Sequence, residues 1–325
     1  MRRAVVDWIL DGDNNWEAIK KVKDNKGAPG IDGMTVQALD KYFIEHVDEI
    51  KAEIRDGKYI ASALRRVYIP KPDGGRRGLS IPTAVDRVVQ QMAAQVLVKG
   101  YDQYFSESSY GYRSKMSCHN AIACALDNLD AGYTWIIDLD IAKFFDTVSH
   151  DKLISILREK INDKPTLQLV RSFLRSGVMD DGLMSPPDEF GVPQGSPISP
   201  VLSNVYLDKL DKELESRGLR FCRYADDVVI FVKSKRAADR VMKSVSVWIE
   251  RELFLKIKKD KSKVVRTTKA SFLGFTFWKA DLRHPGRFRN EASLTSSSFS
   301  ATACCASAME KNVLSRSAAV IQVET

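Results

Sequence analysis

The sequence has few of the features that staple a secreted domain or anchor a membrane protein. Five cysteines occur in 325 residues, at Cys118, Cys124, Cys222, Cys304 and Cys305. None forms a CxxC pair, and His119, beside Cys118 and Cys124, has no second half at ligand spacing, which excludes a zinc site of the usual kind. They read as free thiols in a reducing compartment. No apolar run reaches the roughly 18 residues of a membrane span. The start, MRRAVVDWILDGDNNW, has too short an apolar stretch, and turns acidic too soon, for a signal peptide. The expectation is a cytoplasmic protein with no membrane partner. No internal repeat is visible.

What is present is an ordinary soluble composition with a basic balance. The formal net charge is +8, from 50 Lys and Arg against 42 Asp and Glu. That balance suits a polyanionic partner such as nucleic acid. The cations cluster in LRRVYIPKPDGGRRG (64–78) and KIKKDKSKVVR (256–266). Charge alone also fits solvated lysines; the clustering favours the nucleic-acid reading.

The periodicity predicts helices over 1–24, 36–55, 84–100 (capped by Thr83), 117–129, 150–176, 201–216 and 235–253. RRVYIPKPDGGRRGLSIPT reads as a hairpin turning at PDGG. TWIIDLDIAKFFD (134–146) reads as a strand, with Trp135, Ile137, Leu139 and Ile141 alternating against Ile136, Asp138 and Asp140. A Pro- and Gly-rich loop or hairpin is expected over 181–200, and a last strand over 270–278. Beyond about residue 280 the chain is rich in Ser, Ala and Thr with little periodic apolar signal, and reads as a tail without stable order.

RYADDVVIF (223–231) places Asp226 and Asp227 between two apolar strands. Uncompensated carboxylates are costly there. A lone Asp-Asp pair is more often a solvated turn. Here it follows a strand ending in Asp140 and a Gln-Gly loop. Three carboxylates on neighbouring strands repel one another unless cations lie between them. Hard oxygen donors suit Mg²⁺, with Mn²⁺ as the alternative, and a pair of ions about 3.5–4 Å apart would clamp a phosphoryl transfer.

DIAKFFD, VPQGSPISP and YADD, in that order and spacing, resemble the palm motifs of reverse transcriptases. NKGAPGIDG, RRVYIPKPDGGRRGLSIPTAVDRVVQQ, SYGYRSKMSCHNAI and FLGF resemble, more narrowly, the N-terminal extension, two fingers blocks and primer grip of bacterial group II intron reverse transcriptases, the intron-encoded maturases. The resemblance covers roughly residues 10–278. The second fingers block departs from the usual pattern at Tyr112 and at Arg113-Ser114. The implied fold is α+β: right-hand polymerase fingers and palm, a helical N-terminal extension, an antiparallel palm sheet packed on helices, and no thumb. The implied division is an extension over 1–35, fingers over 36–95, palm over 96–150, a fingers–palm connection over 151–197, palm with hairpin and primer grip over 198–279, and an atypical tail over 280–325.

The implied activity is RNA-directed DNA polymerisation: dNTPs added to a primer 3′-hydroxyl on an RNA template, with a group II intron RNA as a further partner. Asp140 and Asp226 match the metal-ligating aspartates, with Asp227 as their auxiliary. Asp138, on the same strand face as Asp140, reads as a supporting group. Phe145 matches the aromatic that abuts the incoming sugar and excludes a 2′-hydroxyl, although one of Phe144 and Phe145 is expected in the core. Lys71 and Arg77, with Arg76 as the alternative, match the basic pair on the triphosphate. Gln194 and Gly195 match the loop that meets nucleotide and template. Tyr224 and Ala225 precede the aspartates, where a small residue admits the primer terminus. Lys261 or Lys263 falls where a lysine nears the leaving pyrophosphate.

Members of the family normally continue into a thumb and maturase region. Here the basic helical continuation gives way to the Ser/Ala-rich tail, which reads as a frameshift or a truncated gene. The competing function is a maturase-like intron RNA-binding protein, or a remnant, without useful polymerase activity. Retron and defence-associated reverse transcriptases are further alternatives, against which KGAPGIDG and SPISPVLSN argue.

Overall fold

The computed structural model describes residues 3–70, 74–279 and 319–323. The N-terminal region forms two helices rather than one, α1 (Val5–Ile9) and α2 (Gly12–Asp24). Asp11 breaks the run by capping the second, its carboxylate accepting from the Asp13 N–H at 3.1 Å. Helix α3 (Leu39–Asp56) ends at Gly57, whose φ of 70° supplies the left-handed C-terminal cap.

Strands β1 (Leu64–Pro70) and β2 (Arg76–Ile81) form the expected hairpin, paired from Arg65–Ile81 to Pro70–Arg76. Helix α4 (Ala84–Tyr101) starts at Thr83, as its sequence predicts, and α5 (Cys118–Asp130) starts at Ser117. Strand β3 (Trp135–Leu139) is shorter than its pattern suggested. The chain leaves the sheet at Asp140, and the one-turn helix α6 (Phe144–Thr147) takes up the second half of the segment read as strand. The predicted helix over 150–176 is also two, α7 (His150–Arg158) and α8 (Lys164–Leu174). Asp163 and Pro165 restart it: the Asp163 carboxylate accepts from Thr166 N–H, and proline suits the first turn.

The loop after α8 contains a small hairpin, β4 (Val178–Asp180) and β5 (Leu183–Ser185), and β4 joins β1 in parallel. This completes a four-stranded sheet in the order β2-β1-β4-β5. Helix α9 (Ser199–Ser216) leads into β6 (Arg220–Tyr224), β7 (Asp227–Val232) and α10 (Lys235–Glu252). Strand β8 (Lys263–Arg266) was hidden by its lysines. The final predicted strand is a hairpin, β9 (Ser271–Phe272) and β10 (Phe275–Lys279), turning at Leu273 and Gly274.

The central sheet has the order β6-β7-β3-β8 and every pairing in it is antiparallel. Both faces are covered. Ile137, Leu139, Val228 and Ile230 join the main core with residues of α9 and α10. Ile136, Cys222, Val229 and Phe231 join a second core with Ala121, Ile122 and Ala125 of α5. A sheet buried on both sides is why YADDVVIFV reads as an unbroken apolar run after its aspartates.

The tail is corrected in one place. Strand β11 (Ala319–Val323) pairs antiparallel with β10, from Phe275–Val323 to Lys279–Ala319. AVIQV is a local β-branched run that the average composition concealed. The remainder of the segment read as tail lies outside the described residues.

Candidate active site

The central sheet delivers the acidic residues to one end. In the β3–β7 ladder Leu139 faces Val228, so Asp140 follows directly beside Asp227. Asp226 occupies the tight β6–β7 turn, whose strands close with the Tyr224–Asp227 pair. Ala225 makes that turn with φ of 57°, and Gly111 lies so close that a Cβ there would stand 2.3 Å from the Ala225 nitrogen. The loop before α5 therefore braces the turn through backbone contact alone.

Asp140 is fixed through its main chain. Its N–H donates to Ser262 Oγ at 3.0 Å, and its carbonyl accepts from Lys258 N–H at 2.8 Å. The 258–262 turn thus positions the first carboxylate. Lys261 lies in that turn, exposed, while Lys263 pairs with Asp138 at 3.8 Å. The two lysines left open by the sequence are separated: Lys263 serves the strand, and Lys261 faces solvent next to the site.

The carboxylates are electrostatically crowded. Loss of water pushes the Asp226 carboxyl above its usual range, with Asp140 adding to the rise and Arg77 opposing it. Asp227 opens to solvent, yet neighbouring protein and the charges of Asp226, Asp138 and Asp140 push it up to about 6. Burial raises Asp138 too, offset by Lys263. The sign of the linkage is definite. Below an unfolded-state pKa of about 3.9 both states of Asp227 are neutral, so nothing is lost. As pH rises from there towards 6 the unfolded state ionises first, and above 6 the full penalty on the fold persists. Asp227→Asn should therefore raise Tm in chelator-treated buffer at pH 7.5, by roughly 2–4 °C for a penalty of about 1 kcal/mol after discounting solvent screening. The gain should shrink as pH falls through 6 and vanish near 4. Thermal melts across that range check it, and an unchanged Tm at pH 7.5 refutes it.

A cavity of about 430 Å³ adjoins the carboxylates, lined by Arg77, Leu79, Tyr112, Phe145, Gln194 and Gly195, with Arg87 and Gln91 from α4 and Asn25 and Gly27 behind α2. Arg77 Nε donates to Gln194 Oε1 at 3.0 Å, and Ser80 N–H donates to the Gln194 carbonyl at 2.8 Å, so the β2 strand and the Gln-Gly loop form one wall. Gly195 has φ of 106°, a conformation that favours glycine. Of the two adjacent phenylalanines, Phe144 is core, 2% exposed, and Phe145 stacks edge-on against it while lining the cavity. Tyr224 closes the β6–β7 pair beside the aspartates. Lys71 lies outside the described residues.

Three features of the site were not foreseen. Tyr112, 46% exposed with φ of 59°, lines the cavity opposite Arg77, and burial raises its hydroxyl pKa, as does the Asp226 charge. Arg87 is nearly buried, yet its Nε and Nη2 find no hydrogen-bond partner among the described residues. Arg223, wholly buried beneath the acidic turn, spends all five N–H donors: on both Asp211 oxygens (2.7 and 2.6 Å), Asn204 Oδ1 (2.9 Å), Ser109 Oγ (2.7 Å) and the Ala225 carbonyl (2.9 Å). Its two partners on α9 were visible as polar positions two turns apart, Asn204 and Asp211, on a helix that is otherwise largely apolar on that side.

A sheet that gathers carboxylates at one end, beside a cavity walled by a basic hairpin, defines a palm and fingers of the right-hand polymerase class. The family model for reverse transcriptase (RNA-dependent DNA polymerase) matches residues 69–277, and the chain belongs to that family. It is 32% identical to Protein YkfC of Escherichia coli, over 76% of this chain and 75% of that protein. It is 31% identical to the group II intron-encoded protein LtrA of Lactococcus lactis, over 66% of this chain and 36% of LtrA. It is 37% identical to the putative COX1/OXI3 intron 1 protein of Saccharomyces cerevisiae, over 58% of this chain and 23% of that protein. The chain thus spans about a third or less of these two intron-encoded relatives. Among solved structures, telomerase from Candida albicans shares the fold, with a TM-score of 0.52 at 17% identity over 68% of this chain and 46% of that one. The reverse transcriptase fold and the kinship with group II intron proteins expected from the sequence both hold. Among the described residues no helix is long and apolar enough to cross a membrane.

Proposed function

We propose that this chain is an RNA-directed DNA polymerase of the group II intron type, elongating a DNA primer on an RNA template. The observation that carries the proposal is the convergence of Asp140, Asp226 and Asp227 beside a cavity walled by Arg77, Phe145 and Gln194. The donor set is all oxygen, and burial, with the neighbouring carboxylate charges adding to it, raises Asp226 and Asp227, which fits divalent Mg²⁺ or Mn²⁺. Among the described residues no three such side chains close into a ready-made metal cage. Asp140 and Asp226 would hold the ions, with Asp227 assisting; bound there, the ions supply Lewis-acid polarisation of the phosphate and neutralise the developing charge.

The chain's own residues supply position. Arg77, held by Gln194, is oriented to meet a triphosphate, with Lys71 as its partner. The buried Arg87 guanidinium adds positive charge to the same cavity wall. Phe145 stands where a 2′-hydroxyl would collide, braced by Phe144 behind it. Gly195 lets backbone approach the base pair, and Ala225 leaves room for the primer terminus. Lys261 offers charge near the leaving pyrophosphate. The extension, fingers and palm divisions are part of this proposal; α4 runs across the 95/96 boundary between the first fingers and palm segments.

The test is primer extension on an RNA template with Mg²⁺, comparing wild type with Phe145→Val. Wild type should add dNTPs and reject ribonucleotides. The variant should accept ribonucleotides at least about tenfold better, the scale of a single steric discrimination. Absence of extension with RNA binding intact would overturn the polymerase reading and favour the intron RNA-binding one.

A further inference from the structure

Behind the acidic turn lies a pair of thiols that the polymerase reading does not use. Cys222 sits on β6, and Cys124 on α5 packs against it with 3.0 Å between the two sulfur atoms. Cys222 is fully buried, whereas Cys124 is partly exposed. Three donors converge on the Cys124 sulfur: the Cys222 thiol, the Tyr110 hydroxyl and, more distantly, Asn128 Nδ2 at 3.6 Å. The surroundings are otherwise apolar, built from Ala121, Ala125, Ile136 and Val229. We propose that Cys124 and Cys222 form a peroxide-reactive dithiol, with Cys124 the attacking sulfur and Cys222 the resolving one, closing to an intramolecular disulfide between α5 and β6.

The division of labour follows from the geometry. An attacking thiol must be reachable and ionised, and a resolving thiol must be adjacent. Hydrogen bonds from Cys222 and Tyr110 lower the Cys124 pKa to about 6, with Arg220 assisting and both burial and the Asp127 charge opposing. Cys222 is displaced strongly upward by its contact with Cys124 and by burial, so it keeps its proton. The Cys124 thiolate attacks one peroxide oxygen and the O–O bond breaks. Sulfur is oxidised to sulfenic acid, and the other oxygen leaves as hydroxide and is protonated to water. Cys222 sulfur then attacks the Cys124 sulfur, the S–O bond breaks, and the departing hydroxide takes the Cys222 proton as a second water. The sum is two thiols and one hydrogen peroxide giving one disulfide and two waters. A disulfide bond of about 2.05 Å needs only about 1 Å of approach between sulfurs already in contact.

The test is peptide mapping of the full chain, without reduction, after brief exposure to modest hydrogen peroxide. The expected product is a single linked species joining the Cys124 and Cys222 peptides, lighter by about 2 Da and reversed by dithiothreitol. Cys222→Ser should stop at the sulfenic acid, trapped on Cys124 by dimedone, and wild type should give little of that adduct. Oxidation should already be fast at pH 7, and Tyr110→Phe should slow it several-fold at pH 6.5 by removing one donor. Melting temperature of each variant confirms an intact fold. Dimedone labelling of wild-type Cys124 without linkage, or preferential oxidation of Cys118, Cys304 or Cys305, would overturn the proposal.

Discussion

Asp226→Ala should reduce primer extension by at least about 10³-fold while leaving the protein folded. The magnitude corresponds to about 4 kcal/mol, within the several kcal/mol that metal-assisted charge stabilisation contributes to phosphoryl transfer. The fold should survive because, among the described residues, the Asp226 carboxylate makes no hydrogen bond to another side chain, and because removing it relieves the repulsion from Asp140 and Asp227. Melting temperature should therefore hold or rise. RNA affinity should persist, since phosphate contacts rather than the aspartates dominate it. Extension within tenfold of wild type would remove Asp226 from the catalytic set, and the assignment of the site with it.

Arg223→Ala should be the most destabilising single change in the central sheet, by about 3–5 kcal/mol, the cost of breaking a buried ion pair from one side. Arg223 and Asp211 have no solvent exposure, so the orphaned Asp211 carboxylate cannot rehydrate without opening the core. Asp208, already pushed up to about 6 by burial and by Asp211, shows how poorly this region tolerates a second unpaired charge. Arg223 also holds the Ala225 carbonyl, so the turn presenting Asp226 loosens with it. Replacing both members, Arg223→Met with Asp211→Leu, should recover much of the stability, because no charge is left stranded. Urea denaturation of the two singles and the double measures the coupling. A loss below about 1 kcal/mol for Arg223→Ala would show that the network is not structural.

Much of the fold was legible because most of its signals are local. Thr83 and Ser117 announce helix starts, PDGG a hairpin, and VVIFV a doubly covered strand. The proposed site was read from ordered short motifs. What escaped was decided by distant partners. Strand β3 stops at Leu139 because Asp140 is claimed by Ser262, more than a hundred residues away. Strand β8, two valines at the end of a lysine-rich run, is made into a strand by its ladder with β3. Arg223 looks like a stray charge in an apolar strand until Asn204, Asp211 and Ser109 surround it. The pairing of Lys263 with Asp138 in the β3–β8 ladder is likewise something no local pattern encodes.

The hold of Ser262 on Asp140 also sets the order of events during synthesis. Asp140 leaves the ribosome long before Asp226, and Asp226 before the residue that fixes the first carboxylate in place. A nascent chain released or paused short of residue 262 has its acidic turn without the segment that seats Asp140. Contacts of this sequence separation close late and slowly. The proposed site thus cannot assemble piecemeal on the emerging chain: Asp140 is seated only once the chain through Ser262 has been made.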